Sequence, residues 1–290
     1  IMPTMVPEEE ITRVNGQFGI IQSLIFIVSP GIGAFMVATL PIHWVILLDV
    51  IGFILGAGML LLVKIPEVAS QGEKISVIKD ALEGFNILRE NKPMWKMTLI
   101  GALFMLLFMP AMSLYPLVTT KYFGGTIVHA GWVEVLFAAA MLIGSFAVGI
   151  FGKTKNRMPW IIAAYLIVGL SIGGSGFLPG NMNGFWIFLV LNVFAGIVGQ
   201  IYTTMNMAIT QQSFEAQYLG RVMGIFSALM SIAGPVGLIF AAPVAESIGV
   251  QNMLVIAGFG GILSAFLLYV TPSVRNYDKF LQRKLENEGQ

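Results

Sequence analysis

The chain contains no cysteine, which excludes a disulfide framework and any zinc site or catalytic nucleophile that needs a thiolate. Charge is scarce as well: Asp, Glu, Lys and Arg make up 11% of the 290 residues, where a soluble domain has about 25%. So little charge cannot cover a chain that is 57% hydrophobic, with a mean hydropathy of +0.84. We therefore expect lipid to surround much of the chain. The net charge of +1 gives no indication of nucleic-acid binding.

Motifs of hydrolytic, metal-dependent and phosphate-binding sites are also lacking. His43 and His129 are the only histidines, and both fall at predicted membrane edges. The sequence has no His-Glu-x-x-His, no Gly-x-Gly-Asp, no Gly-x-Ser-x-Gly and no Gly-rich loop ending in Lys. We predict that the protein is not an enzyme, does not hydrolyse ATP, and needs no cofactor or metal.

Long apolar runs, separated by short polar or Gly/Pro-containing turns, predict eight membrane-spanning helices, since a span needs about 20 apolar residues. One connection, 65–93, is long. The predicted spans cover residues 15–38, 43–64, 94–119, 129–151, 159–178, 184–209, 221–245 and 250–271.

The basic residues divide unevenly between the two sides that eight spans define. Of the 16 Lys and Arg residues, all but Lys121 fall on one side, which the positive-inside tendency assigns to the cytoplasm. The 65–93 and 152–158 loops and both ends of the chain are then cytoplasmic. Within 65–93, apolar residues at helical spacing predict an amphipathic helix along the membrane surface: Ile75, Ile78, Leu82, Phe85 and Leu88.

The first and seventh predicted spans resemble each other. The same spacing separates Gly19 from Pro30 and Gly224 from Pro235, and each proline lies beside a glycine. Both copies run in the same direction, which indicates two halves related by an axis along the membrane normal. Since the copies are six spans apart, we expect a six-helix unit and four further helices before Ile1.

Several short motifs, in a fixed order along the chain, resemble those of a known protein family. They are Val6-Pro7-Glu8-Glu9, Ser29-Pro30-Gly31-Ile32-Gly33, Leu88-Arg89-Glu90-Asn91-Lys92-Pro93, His129-Ala130 with Val133-Glu134, and Leu219-Gly220-Arg221-Val222-Met223-Gly224. Together they resemble the major facilitator superfamily, in its drug:proton antiporter branch that includes macrolide-efflux proteins. The resemblance covers nearly the whole chain, as helices five to twelve of twelve.

The resemblance implies an all-α fold, a major-facilitator-like helical bundle of eight transmembrane helices. Two helices close an N-terminal half and six form a complete C-terminal half. The expected divisions are 1–64 for the last two helices of the N-terminal bundle, 65–93 for the cytoplasmic linker, 94–272 for the C-terminal bundle and 273–290 for a cytoplasmic tail. The expected location is the inner membrane of a bacterium.

Two acidic residues lie clearly within predicted spans, Glu134 in the fourth and Asp49 in the second. An ionisable group inside a membrane is costly and is a functional candidate by default. Either carboxylate could take up a proton on one side and release it on the other, as an antiporter requires. The alternative is a hydrogen-bonding role, at an outer gate for Glu134 and near the interface for Asp49.

Two helical stripes are candidates for a substrate cavity. Small and polar residues of the sixth span suit a cavity wall or close helix packing, and the resemblance favours the cavity; Asn192, Gly196, Gly199, Thr203 and Asn206 form this stripe, flanked by Gln200 and Tyr202. The third span is rich in Met, which accepts varied apolar ligands but also faces lipid or other helices; its candidates are Met105, Met109, Met112 and Tyr115.

Prolines and glycines within spans are candidates for bends and close packing. They are Pro30, Gly31 and Gly33 in the first span, Pro110 and Pro116 in the third, and Gly234, Pro235 and Gly237 in the seventh. Arg221 begins the seventh span at the predicted cytoplasmic face. It is either a basic anchor or a gate residue paired with Glu215.

The expected function is proton-coupled export of hydrophobic or amphipathic compounds, of macrolide or multidrug type, by alternating access. The expected partners are such a small molecule, protons and the bilayer. Two alternatives stay open: a lipid or other solute carrier of the same fold, and a truncated membrane module that does not transport. No Lys or Arg lies in mid-span, which argues against an anionic substrate.

Overall fold

The computed structural model describes residues 39–62, 77–151 and 156–288, with isolated positions between 25 and 36. Most of the first predicted span, including Pro30 and Gly31, lies outside the described residues. The chain divides into two compact units, Ile1–Ile75 and Ser76–Gln290. No strand occurs within the described ranges.

In the first unit, helix α1 (Ile42–Leu62) begins directly after Pro41. It is apolar on every face apart from His43 and Asp49. A helix that is hydrophobic all round belongs either in the core of a large protein or in a membrane.

The second unit begins with α2 (Val77–Glu90) and continues through long helices joined by short turns. Among the described residues, seven helices, α1 and six in this unit, are long and apolar enough to cross a membrane. Each corresponds to a predicted span, with ends that differ by a few residues. The six are α3 (Lys92–Ser113), α5 (Ile127–Phe151), α6 (Met158–Ser175), α7 (Met182–Gln212), α8 (Ala216–Ile248) and α9 (Val250–Val270).

Asn91 separates α2 from α3 and fixes where α3 begins. Its side-chain oxygen accepts a hydrogen bond from the Met94 amide at 3.3 Å, and Pro93 follows in the first turn. A capping Asn followed by Pro is a strong helix start, because Asn satisfies a free amide and Pro needs none. The cap thus ends the linker helix and begins the third predicted span.

The third predicted span, 94–119, is wrong as a single helix. Helix α3 ends at Ser113, and the chain continues as a short turn, α4 (Tyr115–Leu117), and a π-helical turn over Val118–Tyr122. In that turn the Phe123 amide donates to the Val118 carbonyl, five residues back, at 3.1 Å. Pro110 and Pro116 each remove a backbone donor, so the regular helix cannot continue between them.

Glycines set the distances between neighbouring helices. Gly173 of α6 lies directly against Gly258 of α9, and a Cβ on Gly261 would fall 2.7 Å from the Cα of Gly169. The two backbones therefore touch at two successive turns, which no larger residue would allow. Small residues at helix contacts are the usual means of close packing in membranes.

The end of the chain folds back onto the bundle. Two short helices, α10 (Pro272–Arg275) and α11 (Tyr277–Glu288), follow α9, and Val274 and Leu281 are buried. The Tyr277 hydroxyl accepts a hydrogen bond from the Asn91 amide group at 2.7 Å. Asp278 is fully buried.

Asp278 pairs with Arg157, which precedes α6 and is 6% exposed. The carboxylate accepts hydrogen bonds from the Arg157 backbone amide at 2.5 Å and from its guanidinium at 2.5 to 3.1 Å. The guanidinium also donates to Gln212 at the end of α7 at 2.8 Å. The sequence identifies Arg157 only as a positive loop charge; in the structure it joins α6, α7 and α11.

We predict that Asp278→Asn lowers stability by about 3–5 kcal/mol, because it leaves the Arg157 charge buried without its partner. Thermal unfolding of the full-length protein in detergent measures the effect. Glu83→Gln is the control, since its pair with Arg221 is 38% and 39% exposed and is worth at most about 1 kcal/mol. Equal melting temperatures for the two variants would contradict the prediction.

Candidate functional site

An open groove of about 550 Å³ lies along α3, α7 and α8 of the second unit. Its α7 side is mostly neutral and polar, and α3 and α8 contribute apolar side chains. Among the described residues, no charged side chain lines it. The polar residues are Gln200, Tyr202, Thr203, Thr204, Asn206 and Gln211; the apolar residues are Met105, Met207, Ala208, Phe226 and Met230.

Asn206 is the polar group of the groove with an unused acceptor. It is 8% exposed, and its Oδ1 has no hydrogen-bond partner among the described residues. The Thr203 hydroxyl, in contrast, donates to the Gly199 carbonyl of its own helix at 2.9 Å. Since buried acceptors are nearly always satisfied, Asn206 can accept a hydrogen bond from a molecule in the groove.

Aromatic rings pack against one another beside the groove. Tyr202 packs on Tyr165 of α6 with ring centroids 4.6 Å apart, and Phe104 of α3 meets Tyr165 edge to face at 4.9 Å. These contacts tie α3, α6 and α7 together beside the groove. Tyr165 was not predicted, because nothing along the fifth predicted span distinguishes it from a residue facing lipid.

The groove brings together half of the predicted cavity residues: Met105, Gln200, Thr203 and Asn206. Met109, Met112, Tyr115 and Asn192 lie outside it. Phe226 and Met230, one turn apart on α8, were missed. Their four-residue spacing was the only signal in the sequence, and it does not separate a groove from a packed face.

The α7 stripe changes role along its length. Its first half packs against α5, where a Cβ on Gly196 would fall 2.9 Å from the Ala140 Cβ and 3.0 Å from the Phe137 carbonyl oxygen. Asn192, one turn earlier, is buried and donates to the carbonyl of Phe188 at 3.0 Å. Only the second half, from Gln200 on, lines the groove.

The predicted packing residues of α3 and α8 meet each other. Gly237 lies against the Leu106 carbonyl and the Pro110 ring, and a Cβ on Gly234 would fall 3.5 Å from the Met109 Cγ. Pro235 is exposed. In the first unit, nothing described lies within 4 Å of the position of a Cβ on Gly33.

The two proton-coupling candidates lie on different units. Glu134 is exposed on α5 and forms no ion pair with another described side chain. Asp49 is exposed on α1. Glu134 does not line the groove of its own unit.

The pair predicted between Arg221 and Glu215 is wrong. Arg221 binds two acids of the linker helix α2, Asp80 at 3.0 Å and Glu83 at 2.9 Å. Glu215 instead accepts a hydrogen bond from Gln217 at 2.8 Å. The helices approach closely here, because a Cβ on Gly84 would fall 2.7 Å from the Arg221 carbonyl oxygen. Sequence proximity suggested the wrong acid.

Apolar helices packed through glycines, with an uncharged groove among them, are typical of a multi-pass membrane transport protein. The chain belongs to the major facilitator superfamily, whose family model matches residues 1–124 and 107–287.

Curated relatives are efflux proteins. Macrolide efflux protein A of Streptococcus pyogenes is 33% identical over 280 residues, which cover 96% of this chain and 69% of that protein. Macrolide efflux protein A of Enterococcus faecalis is 35% identical over 240 residues, covering 82% and 74%. Multidrug efflux pump Tap of Mycobacterium tuberculosis is 26% identical over 289 residues, covering 95% and 67%.

We predict that Gly84→Leu destabilises the protein by about 1–3 kcal/mol, because the added side chain forces α2 away from Arg221. Gly220→Leu is the matched control: nothing lies within 4 Å of its Cβ position, and its effect should stay within about 0.5 kcal/mol. Thermal unfolding of the full-length protein compares them. A Gly84→Leu protein as stable as the control would show that the contact is not tight.

Proposed function

We propose that this protein is a proton-coupled exporter of hydrophobic or amphipathic small molecules, of macrolide or multidrug type, in a bacterial inner membrane. The observation that carries the proposal is the uncharged groove, with a polar side on α7 and apolar side chains from α3 and α8. The relatives, which are named as macrolide and multidrug efflux proteins, support the same substrate class.

The groove suits varied ligands better than a single one. Met105, Met207 and Met230 are flexible and polarisable, so they can repack around apolar groups of different shape. A few neutral polar groups, Asn206 above all, then orient the ligand. Because no charge lines the groove, binding does not depend on an ion pair.

We assign proton coupling to Glu134. A carboxylate within a predicted membrane span is energetically costly and is therefore a functional candidate. Glu134 has no ion-pair partner among the described residues. It takes up a proton from one side of the membrane and releases it to the other as the protein alternates between two states. Asp49 of the first unit is the second candidate.

We also propose that the Arg157 end of the bundle faces the cytoplasm. The uneven distribution of Lys and Arg supports this orientation. Arg221, bound to α2 at the same end, is then a cytoplasmic contact that can open and close as α8 moves. Its pairs are more than a third exposed, so they are weak enough to break during a transport cycle.

The groove is tested by Asn206→Leu in the full-length protein, expressed in cells that lack their main exporters. We expect macrolide export to fall by about threefold to tenfold, because a hydrogen bond to the substrate is lost. Asn183→Leu is the control on the same helix outside the groove, and it should export normally. Drug accumulation measures both. If Asn206→Leu exports every tested compound normally, the groove is not the substrate surface.

Proton coupling is tested by Glu134→Gln in proteoliposomes. The amide keeps the shape of the side chain but cannot carry a proton, so we expect export driven by a pH gradient to be abolished while substrate binding remains. Radiolabelled macrolide flux, with a protonophore as reference, gives the measurement. Wild-type flux in Glu134→Gln, still sensitive to the protonophore, would assign coupling to another residue.

A further inference from the structure

Tyr115 carries a hydroxyl that nothing in the proposed mechanism uses so far. The residue is 2% exposed, and its oxygen has no hydrogen-bond partner among the described residues. Its ring packs edge to face on Phe188 of α7, with centroids 5.3 Å apart. A buried hydroxyl without a partner is rare and calls for an explanation, because it has given up its hydrogen bonds to water.

Two neighbouring side chains share this property. Thr119, one turn further along the chain, is fully buried, and its hydroxyl is unpartnered. Asn192, whose amide is held by the Phe188 carbonyl, has an unpartnered Oδ1. Tyr115 and Asn192 therefore both contact Phe188, and each has a buried oxygen without a hydrogen-bond partner among the described residues.

The other titratable groups at this end are occupied or exposed. The Tyr122 hydroxyl donates to the Leu178 carbonyl at 2.6 Å. The His129 ring accepts a hydrogen bond from the Thr126 amide at 3.1 Å. Lys121 is exposed. Among the described groups at this end, Tyr115 is thus the buried titratable side chain without a hydrogen-bond partner.

Glu134 is the acidic residue on the helix beside Tyr115. The turn that carries Tyr115 packs against α5, the helix that carries Glu134. Glu134 is exposed and forms no ion pair with a described residue, so its side chain can rotate. A change of rotamer on an exposed side chain is fast compared with a transport cycle.

We propose that Tyr115 is a positioning residue for Glu134. Its hydroxyl donates a hydrogen bond to the Glu134 carboxylate when that carboxylate is charged, and gives up the bond when a proton binds to the carboxylate oxygen. No covalent bond changes other than the O–H bond formed and broken at Glu134. The inference rests on the proposed role of Glu134 and adds the group that orients it.

Tyr115→Phe tests the proposal, because it removes only the hydroxyl and leaves the packing on Phe188. The full-length protein in proteoliposomes is assayed twice: for macrolide flux driven by a pH gradient, and for macrolide exchange at equal pH, which moves no net protons. We expect gradient-driven flux to fall about tenfold, since a hydrogen bond to a charged group is lost, while exchange stays within about twofold.

Tyr122→Phe is the matched control, since its hydroxyl at the same end has a structural partner in Leu178. It should change both assays alike. Wild-type behaviour of Tyr115→Phe in both assays overturns the proposal, and so does an equal fall in both, which would make Tyr115 structural. Glu134→Gln, assayed in parallel, separates the two ideas. If it abolishes gradient-driven flux and Tyr115→Phe does not, only the Tyr115 inference fails; if it does not, the proposed coupling fails too.

Discussion

Close approach of helix backbones at glycines is the constraint on which this bundle depends. Helices in a bilayer gain little from hydrophobic contact with one another, because lipid chains are as apolar as their side chains. Cohesion must come from dispersion contacts at short range, and Gly173 against Gly258 is one of the closest approaches. The same device joins α5 to α7 at Gly196, α3 to α8 at Gly237, and α2 to α8 at Gly84.

The groove lies where this packing ends. Helix α7 contacts α5 at Gly196 and as far as Gln200, which lies beside Gly144, and from Gln200 on its polar side chains line the groove. One helix can therefore supply a rigid contact and a binding surface from the same stripe. Proline has a related effect at the end of α3, where the broken helix leaves Tyr115 and Thr119 buried without partners.

The sequence predicts the elements better than their partners. Apolar runs locate the spans, and capping by Asn91 with Pro93 marks the start of α3, because both signals are local. A helical stripe shows which residues share a face but not what each of them contacts. Asn192 and Asn206 therefore look equivalent in the sequence, although Asn192 is packed and Asn206 lines the groove. Arg157 pairs with an acidic residue 121 positions away, and Arg221 pairs with Glu83 of α2 rather than with the nearby Glu215. Such choices depend on the assembled bundle.

The burial of Asp278 also constrains the order in which this end of the bundle can assemble during synthesis. A ribosome delivers Arg157 and the start of α6 to the membrane long before it makes Asp278, because 121 residues separate the two. During that interval the guanidinium has no buried acid to receive it and stays hydrated. The bundle can close at this end only after α11 has been synthesised. A tag fused near Glu288, or a chain cut before α11, therefore interferes with maturation rather than with a dispensable tail.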